Sequence, residues 1–251
     1  MLPFEPTATN IALVALAFTA AGLCKGILGI GIPLLAVPLL TGVMQPATTI
    51  SVLALPIVVA NTWQGFEGGQ APWVMRRFWT VAATLIVGST LGAQFLTEIN
   101  PITAQLIIGI IVIVFSLSQF RTVVIPPPGK NEGWMSPIIG FIAGLLGGIA
   151  TFFGPILIMY LVALKLPKDK FVPTIALLYL IGTVPLFVVL IWKGVLGEKE
   201  FILSLGGAVL LMGGVVIERR LRNVISQDTF RRGLLIVLVV MGLNMIRRAV
   251  M

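Results

Sequence analysis

Two of the apolar stretches in this chain are too long to cross a bilayer once and too broken to be continuous helices. Residues 8–44 and 135–164 are interrupted near their middles by glycine and proline, at GILGIGIP (26–33) and GGIATFFGP (147–155). A continuous helix through 8–44 would run about 55 Å at 1.5 Å per residue, against a hydrocarbon core of about 30 Å. Each stretch is therefore expected to fold as two half-length helices meeting at a turn. Six ordinary spans accompany them, at 47–63, 78–97, 103–120, 171–192, 201–217 and 232–246, bounded by charged or Pro/Gly-rich gaps. Only 10% of residues are charged and 58% are hydrophobic, where a soluble domain carries about a quarter charged. The chain reads as an all-α polytopic membrane protein.

The composition also removes chemistries. There is no histidine, so no His-dependent base, Ser/His dyad or HExxH zinc site can be built. Cys24 is the one cysteine; its apolar setting predicts an inert thiol. No GxxxxGK[ST] string occurs, which excludes a P-loop within this chain. No metal or cofactor is expected. The net charge of +8 sits in short gaps between apolar runs, where membrane topology explains it better than nucleic acid does. Residues 1–7 carry neither a basic n-region nor an A-x-A site, so a removable signal peptide is not expected.

Sliding the sequence on itself by 122 positions lays Gly22, Gly26, Pro33, Leu35 and Leu39 on Gly144, Gly148, Pro155, Leu157 and Leu161; at 121, Pro46 and Thr62 meet Pro167 and Thr183. The chain thus reads as two repeats, 1–120 and 135–251, joined by a linker at 121–134. Each repeat is one broken-helix hairpin plus three transmembrane helices. Charge tests how the broken stretches cross. If each crossed once, sixteen of the 17 basic residues would divide eight against eight. If each turns back, the division becomes twelve (76, 77, 121, 130, 165, 168, 170, 219, 220, 222, 231, 232) against four (193, 199, 247, 248), and the positive-inside tendency favours that arrangement. Three crossings per repeat make the repeats inverted and put both termini outside the cytoplasm. Lys25 is the seventeenth, inside the membrane.

A broken helix at membrane depth leaves backbone groups that hydrocarbon cannot satisfy. Gly31 and Pro33 in the first repeat, and Gly154 and Pro155 in the second, suit the start of the returning half-helix, with Gly29, Thr151 and Phe153 completing the turns. Uncapped N–H groups and the positive dipole end favour an anion there, and two such ends are expected to meet near the midplane. Lys25, costing on the order of 3 kcal/mol at the bilayer centre, is expected to compensate the anion. Asn61 and Gln64, at the end of the first full span, are further donor candidates, with interhelical bonding as the alternative. Phe152 and Phe153 either narrow the site or pack. The Gly22/Gly26 and Gly140/Gly144/Gly148 spacings read as packing seams. Glu67, Glu98, Glu132, Asp169, Glu198, Glu200, Glu218 and Asp228 all fall in loops or at span ends, so a carboxylate relay is not visible.

KGILGIGIPLLAVPLL (25–40), followed by a short gap and a Ser/Thr-containing span (48–64), resembles the first motif of the sulfite exporter TauE/SafE family, and GFIAGLLGGIATFFGPILIMYLVAL (140–164) resembles its repeat. The likeness covers nearly the whole chain, including FRRGLLIVLVVMGLNMI (230–246). It implies a multi-pass permease of the bacterial inner membrane, moving small anions such as sulfite, sulfoacetate or other sulfonates. The chain departs from the family's glycine runs at Ile32 and Pro33 and at Phe152 and Phe153, which puts the family's named substrates in question for it. The partners expected are a small anion and the lipid bilayer, with a homodimer left open. An anion channel or a non-transporting membrane subunit is the alternative, and the sequence lacks the parts of an enzyme.

Overall fold

The computed structural model describes residues 7–28, 32–120, 128–221 and 227–250. Among these residues all regular structure is helical. The helices are α1 (Ala8–Leu28), α2 (Ile32–Leu40), α3 (Pro46–Val52), α4 (Ala54–Phe66), α5 (Ala71–Glu98), α6 (Pro101–Phe120), α7 (Glu132–Ala150), α8 (Gly154–Ala163), α9 (Lys168–Trp192), α10 (Glu198–Leu221) and α11 (Gln227–Val250). Of these, α1, α5, α6, α7, α9 and α11 carry segments long and apolar enough to cross a membrane. Trp63, Trp79, Trp134 and Trp192, near helix ends, are exposed, as interfacial tryptophans are.

The span expected at 47–63 is not one helix. It bends by 43° between α3 and α4. Pro56 supplies the cause: it has no N–H for the Val52 carbonyl and its ring crowds that carbonyl. The neighbouring Leu55 N–H then leaves the helix ladder and donates to Ser204 Oγ of α10 at 2.9 Å.

The helices form two compact units that do not follow chain order. The first comprises 1–56, 99–123 and 195–251, the second 57–98 and 124–194. In the first unit α1 runs parallel to α10, with Phe18 against Gly207 and Gly22 against the backbone of Leu211 and Gly214. Helix α6 runs antiparallel to α11 through Gly109 and Gly242. In the second unit α5 and α7 run parallel along a glycine seam: Gly140, Gly144 and Gly148 lie against Val81, Leu85 and Ser89, and a β-carbon at any of the three would overlap α5 backbone. Small residues let backbones approach this closely, and packing of this kind holds helices together where lipid offers no hydrophobic drive.

Each unit carries evidence on how its broken stretch runs. In the second, Ser136 near the start of α7 shares a 2.7 Å hydrogen bond with Tyr160 near the end of α8, so α8 folds back along α7. The ends agree: Arg77 pairs with Glu132, Lys170 lies over the Trp73 ring at 4.5 Å, and Lys193 pairs with Glu98 at 3.1 Å. The starts of α5, α7 and α9 therefore lie together, and the stretch leaves on the side it enters. In the first unit Arg248, at the end of α11, donates to the Gly42 carbonyl at 3.0 Å. The end of α11 thus lies beside the segment that follows α2.

Candidate functional site

The second break is a turn of three residues between α7 and α8. Thr151 caps α7 in the left-handed region (φ 59, ψ 17), a conformation that costs an L-residue about 1–2 kcal/mol. Two bonds hold it: its N–H donates to the Gly147 carbonyl at 2.6 Å and its Oγ1 to the Ala150 carbonyl at 2.5 Å. Phe152 and Phe153 follow, and all three residues are at most 3% exposed. Gly154 opens α8 and Pro155 is its second residue. Proline lacks an N–H and suits the first turn, where no intrahelical acceptor is available. The first intrahelical bond of α8 is the long one from Leu157 N–H to the Phe153 carbonyl, 3.4 Å. The N–H groups of Gly154 and Ile156 thus lie at an uncapped helix end. The ten residues of α8 span about 15 Å, half the hydrocarbon thickness, which sets this end at mid-membrane depth.

Phe153 is fixed rather than loose. Its ring lies between Gly147 of α7 and Gly182 of α9, where a β-carbon at either glycine would overlap it. It meets the Tyr179 ring edge-on, centroids 5.9 Å apart. Ser89 of α5 donates to the Gly182 carbonyl at 2.5 Å, tying α5 to α9 beside the ring. The Phe153 ring is thus held by packing from α7 and α9.

The remaining candidates fall in several places. Lys25 occupies the last turn of α1 and is partly buried. Gly29 and Gly31 lie outside the described residues, as does the linker from 121 to 127. Pro33 is the buried second residue of α2. Asn61 in α4 is buried and Gln64, nearly one turn further on, is partly exposed. The structure brings Thr151, Phe153, Gly154 and Pro155 together in one turn. Sequence reasoning missed Gly147, Gly182, Ser89 and Tyr179, which surround that turn. Tyr179 carried a signal, being one of only two tyrosines and lying inside an apolar span. Among the described residues no cluster of three or more His, Cys, Asp or Glu side chains could hold a metal.

Half-length helices that begin inside the membrane, beside full spans, define a polytopic membrane protein of the kind found among secondary transporters. The model of the family "Sulfite exporter TauE/SafE" matches residues 14–245. The chain belongs to that family, which is one of membrane transporters and not of enzymes. Comparison with curated proteins and with solved structures gives no match.

Proposed function

We propose that this transporter carries a small sulfur-containing anion, sulfite, sulfoacetate or another organosulfonate, across the bacterial inner membrane by alternating access around its two broken spans. The observation that carries the reading is the start of α8 at Gly154, where uncapped N–H groups stand at the positive end of a half-helix at mid-membrane depth. Such an end favours negative charge. Family membership supports a sulfur anion. Lys25, in the last turn of α1, is read as a cationic residue of the transport path. The sequence correspondences at shifts of 122 and 121 positions support two repeats. We read those repeats as inverted, because three crossings separate corresponding points. Asn61 and Gln64 are assigned to the substrate path with Thr151, Gly154, Pro155, Gly29, Gly31 and Pro33.

Purified protein in lipid vesicles tests this reading. Labelled sulfite or sulfoacetate should enter with saturable kinetics and show counterflow from preloaded vesicles. Flux that never saturates would indicate a channel, and no flux of either anion would end the carrier reading.

A further inference from the structure

Helices α5 and α9 leave an open groove of about 570 Å³ between them, lined by Ile86 and Thr90 of α5 and by Leu180, Val184, Val188 and Val189 of α9. That volume lies within the roughly 300–1,000 Å³ of small-molecule sites. Ile86, Val184 and Val188 are exposed, so the groove opens toward lipid. The Thr90 hydroxyl is already engaged, donating to the Ile86 carbonyl one turn back at 2.8 Å. The lining side chains therefore offer a ligand hydrophobic contact and no free donor. From Leu180 to Val189 the groove runs about 14 Å along the helix, about half of a 30 Å hydrocarbon core. Val189 stands three residues before the end of α9 at Trp192, which makes the groove one leaflet deep, from near mid-membrane to the interface. Helical register carries both of its walls onto polar groups there, since residues four apart share a face. Steps of four run from Val184 through Val188 to Trp192 and from Val189 to Lys193; on α5 they run from Ile86 through Thr90 and Gln94 to Glu98. Trp192 is 77% exposed. Lys193 Nζ stands 5.9 Å from the centre of its ring and 3.1 Å from Glu98 Oε1. At headgroup level the groove thus ends on a cation and an anion side by side, next to an interfacial tryptophan.

We propose that this groove is a phospholipid site: it holds one acyl chain of a phosphatidylethanolamine, whose phosphate pairs with Lys193 and whose ammonium donates to Glu98. Depth and charge select that occupant together. An apolar chain one leaflet long fills the groove, and the two ions at its mouth meet a headgroup that carries both signs. An exposed ion pair is weak, so the headgroup enters it at little cost. A quaternary ammonium has no N–H for the carboxylate, and an anionic headgroup would leave Glu98 facing like charge; both bind less well.

The test uses the full chain, delipidated in detergent and given equimolar palmitoyl-oleoyl phosphatidylethanolamine, phosphatidylcholine and phosphatidylglycerol. Native mass spectrometry counts the bound lipid, and melting temperatures are read alongside. Hydrogen bonds to charged groups are strong enough that the wild type should retain one phosphatidylethanolamine at least about tenfold over either competitor. Val184→Trp fills the groove from an exposed position and should lose that retention at least about tenfold while its lipid-free melting temperature holds. Glu98→Gln should still bind phospholipid but no longer choose the ethanolamine over the choline headgroup. Equal retention of the three lipids by the wild type would overturn the proposal, as would wild-type retention in Val184→Trp or an unchanged headgroup preference in Glu98→Gln. A dimer that Val184→Trp dissociates would overturn it too, by making a second copy of the chain the occupant.

Discussion

The two interrupted stretches correspond in sequence and differ in the residues they carry. At the second, Phe153 is wedged between Gly147 and Gly182. At the first, the positions 122 residues earlier carry Lys25 for Gly147 and Gly31 for Phe153, and the position 121 before Gly182 is Asn61. Large and small are exchanged, and an aromatic ring gives way to a cation and an amide. The second break is consequently built to be rigid: a ring locked by two glycines and a left-handed residue held by two bonds. Before the first stands Lys25, in the last turn of α1; under the carrier reading proposed above, one stretch holds geometry while the other supplies charge.

Leucine at the two corresponding positions should break this comparison most sharply. Gly147→Leu would drive the Phe153 ring out of its slot; overpacking of that kind costs about 1–3 kcal/mol or more and should appear as lost folded yield and a lower melting temperature in detergent. Lys25→Leu removes the ammonium and should lower anion flux at least about tenfold. Lys25→Ala should lose flux in the same way with insertion intact. Uptake unchanged in both lysine variants would take the charge out of the account and leave the breaks alike. A smaller effect should sharpen the picture of the bent span: Ser204→Ala strands the Leu55 N–H and should cost about 1–3 kcal/mol, read as a melting shift. Smallest of all, Glu98→Gln weakens an exposed pair with Lys193 and should change stability by less than about 1 kcal/mol.

Much of this architecture was legible because hydrocarbon is an unforgiving solvent. A stretch longer than the bilayer and punctured by Gly and Pro must fold back, and the second broken stretch does so, with its turn where GGIATFFGP placed it; the turn expected at GILGIGIP lies outside the described residues. The seam glycines Gly22, Gly140, Gly144 and Gly148 pack as their spacing implied. The bend at Leu53 was within reach of the sequence through Pro56, yet a proline in a membrane helix is often tolerated, and only the rerouted Leu55 N–H decides it. Which helices pair was not legible. Helix α9 is apolar all round, so no face announced α5 as its neighbour. For the same reason the surroundings of Phe153 were hidden: Gly147 and Gly182 lie on different helices, and only packing reveals that one ring needs both. Tyr179 could be noticed as an oddity but not placed beside Gly154 until α8 and α9 were seen together.

The central claim is that each broken stretch turns back inside the membrane and leaves by the face it entered. Single cysteines at Lys130 and Lys165, on either side of the second break, and at Lys193, one span further on, test it most directly in a Cys24→Ser background with an impermeant thiol reagent in oriented vesicles. The account predicts that positions 130 and 165 react from the same face and position 193 from the other. Reaction of 130 and 165 from opposite faces would make the stretch an ordinary crossing, and the uncapped end of α8 would no longer stand where an anion could be held.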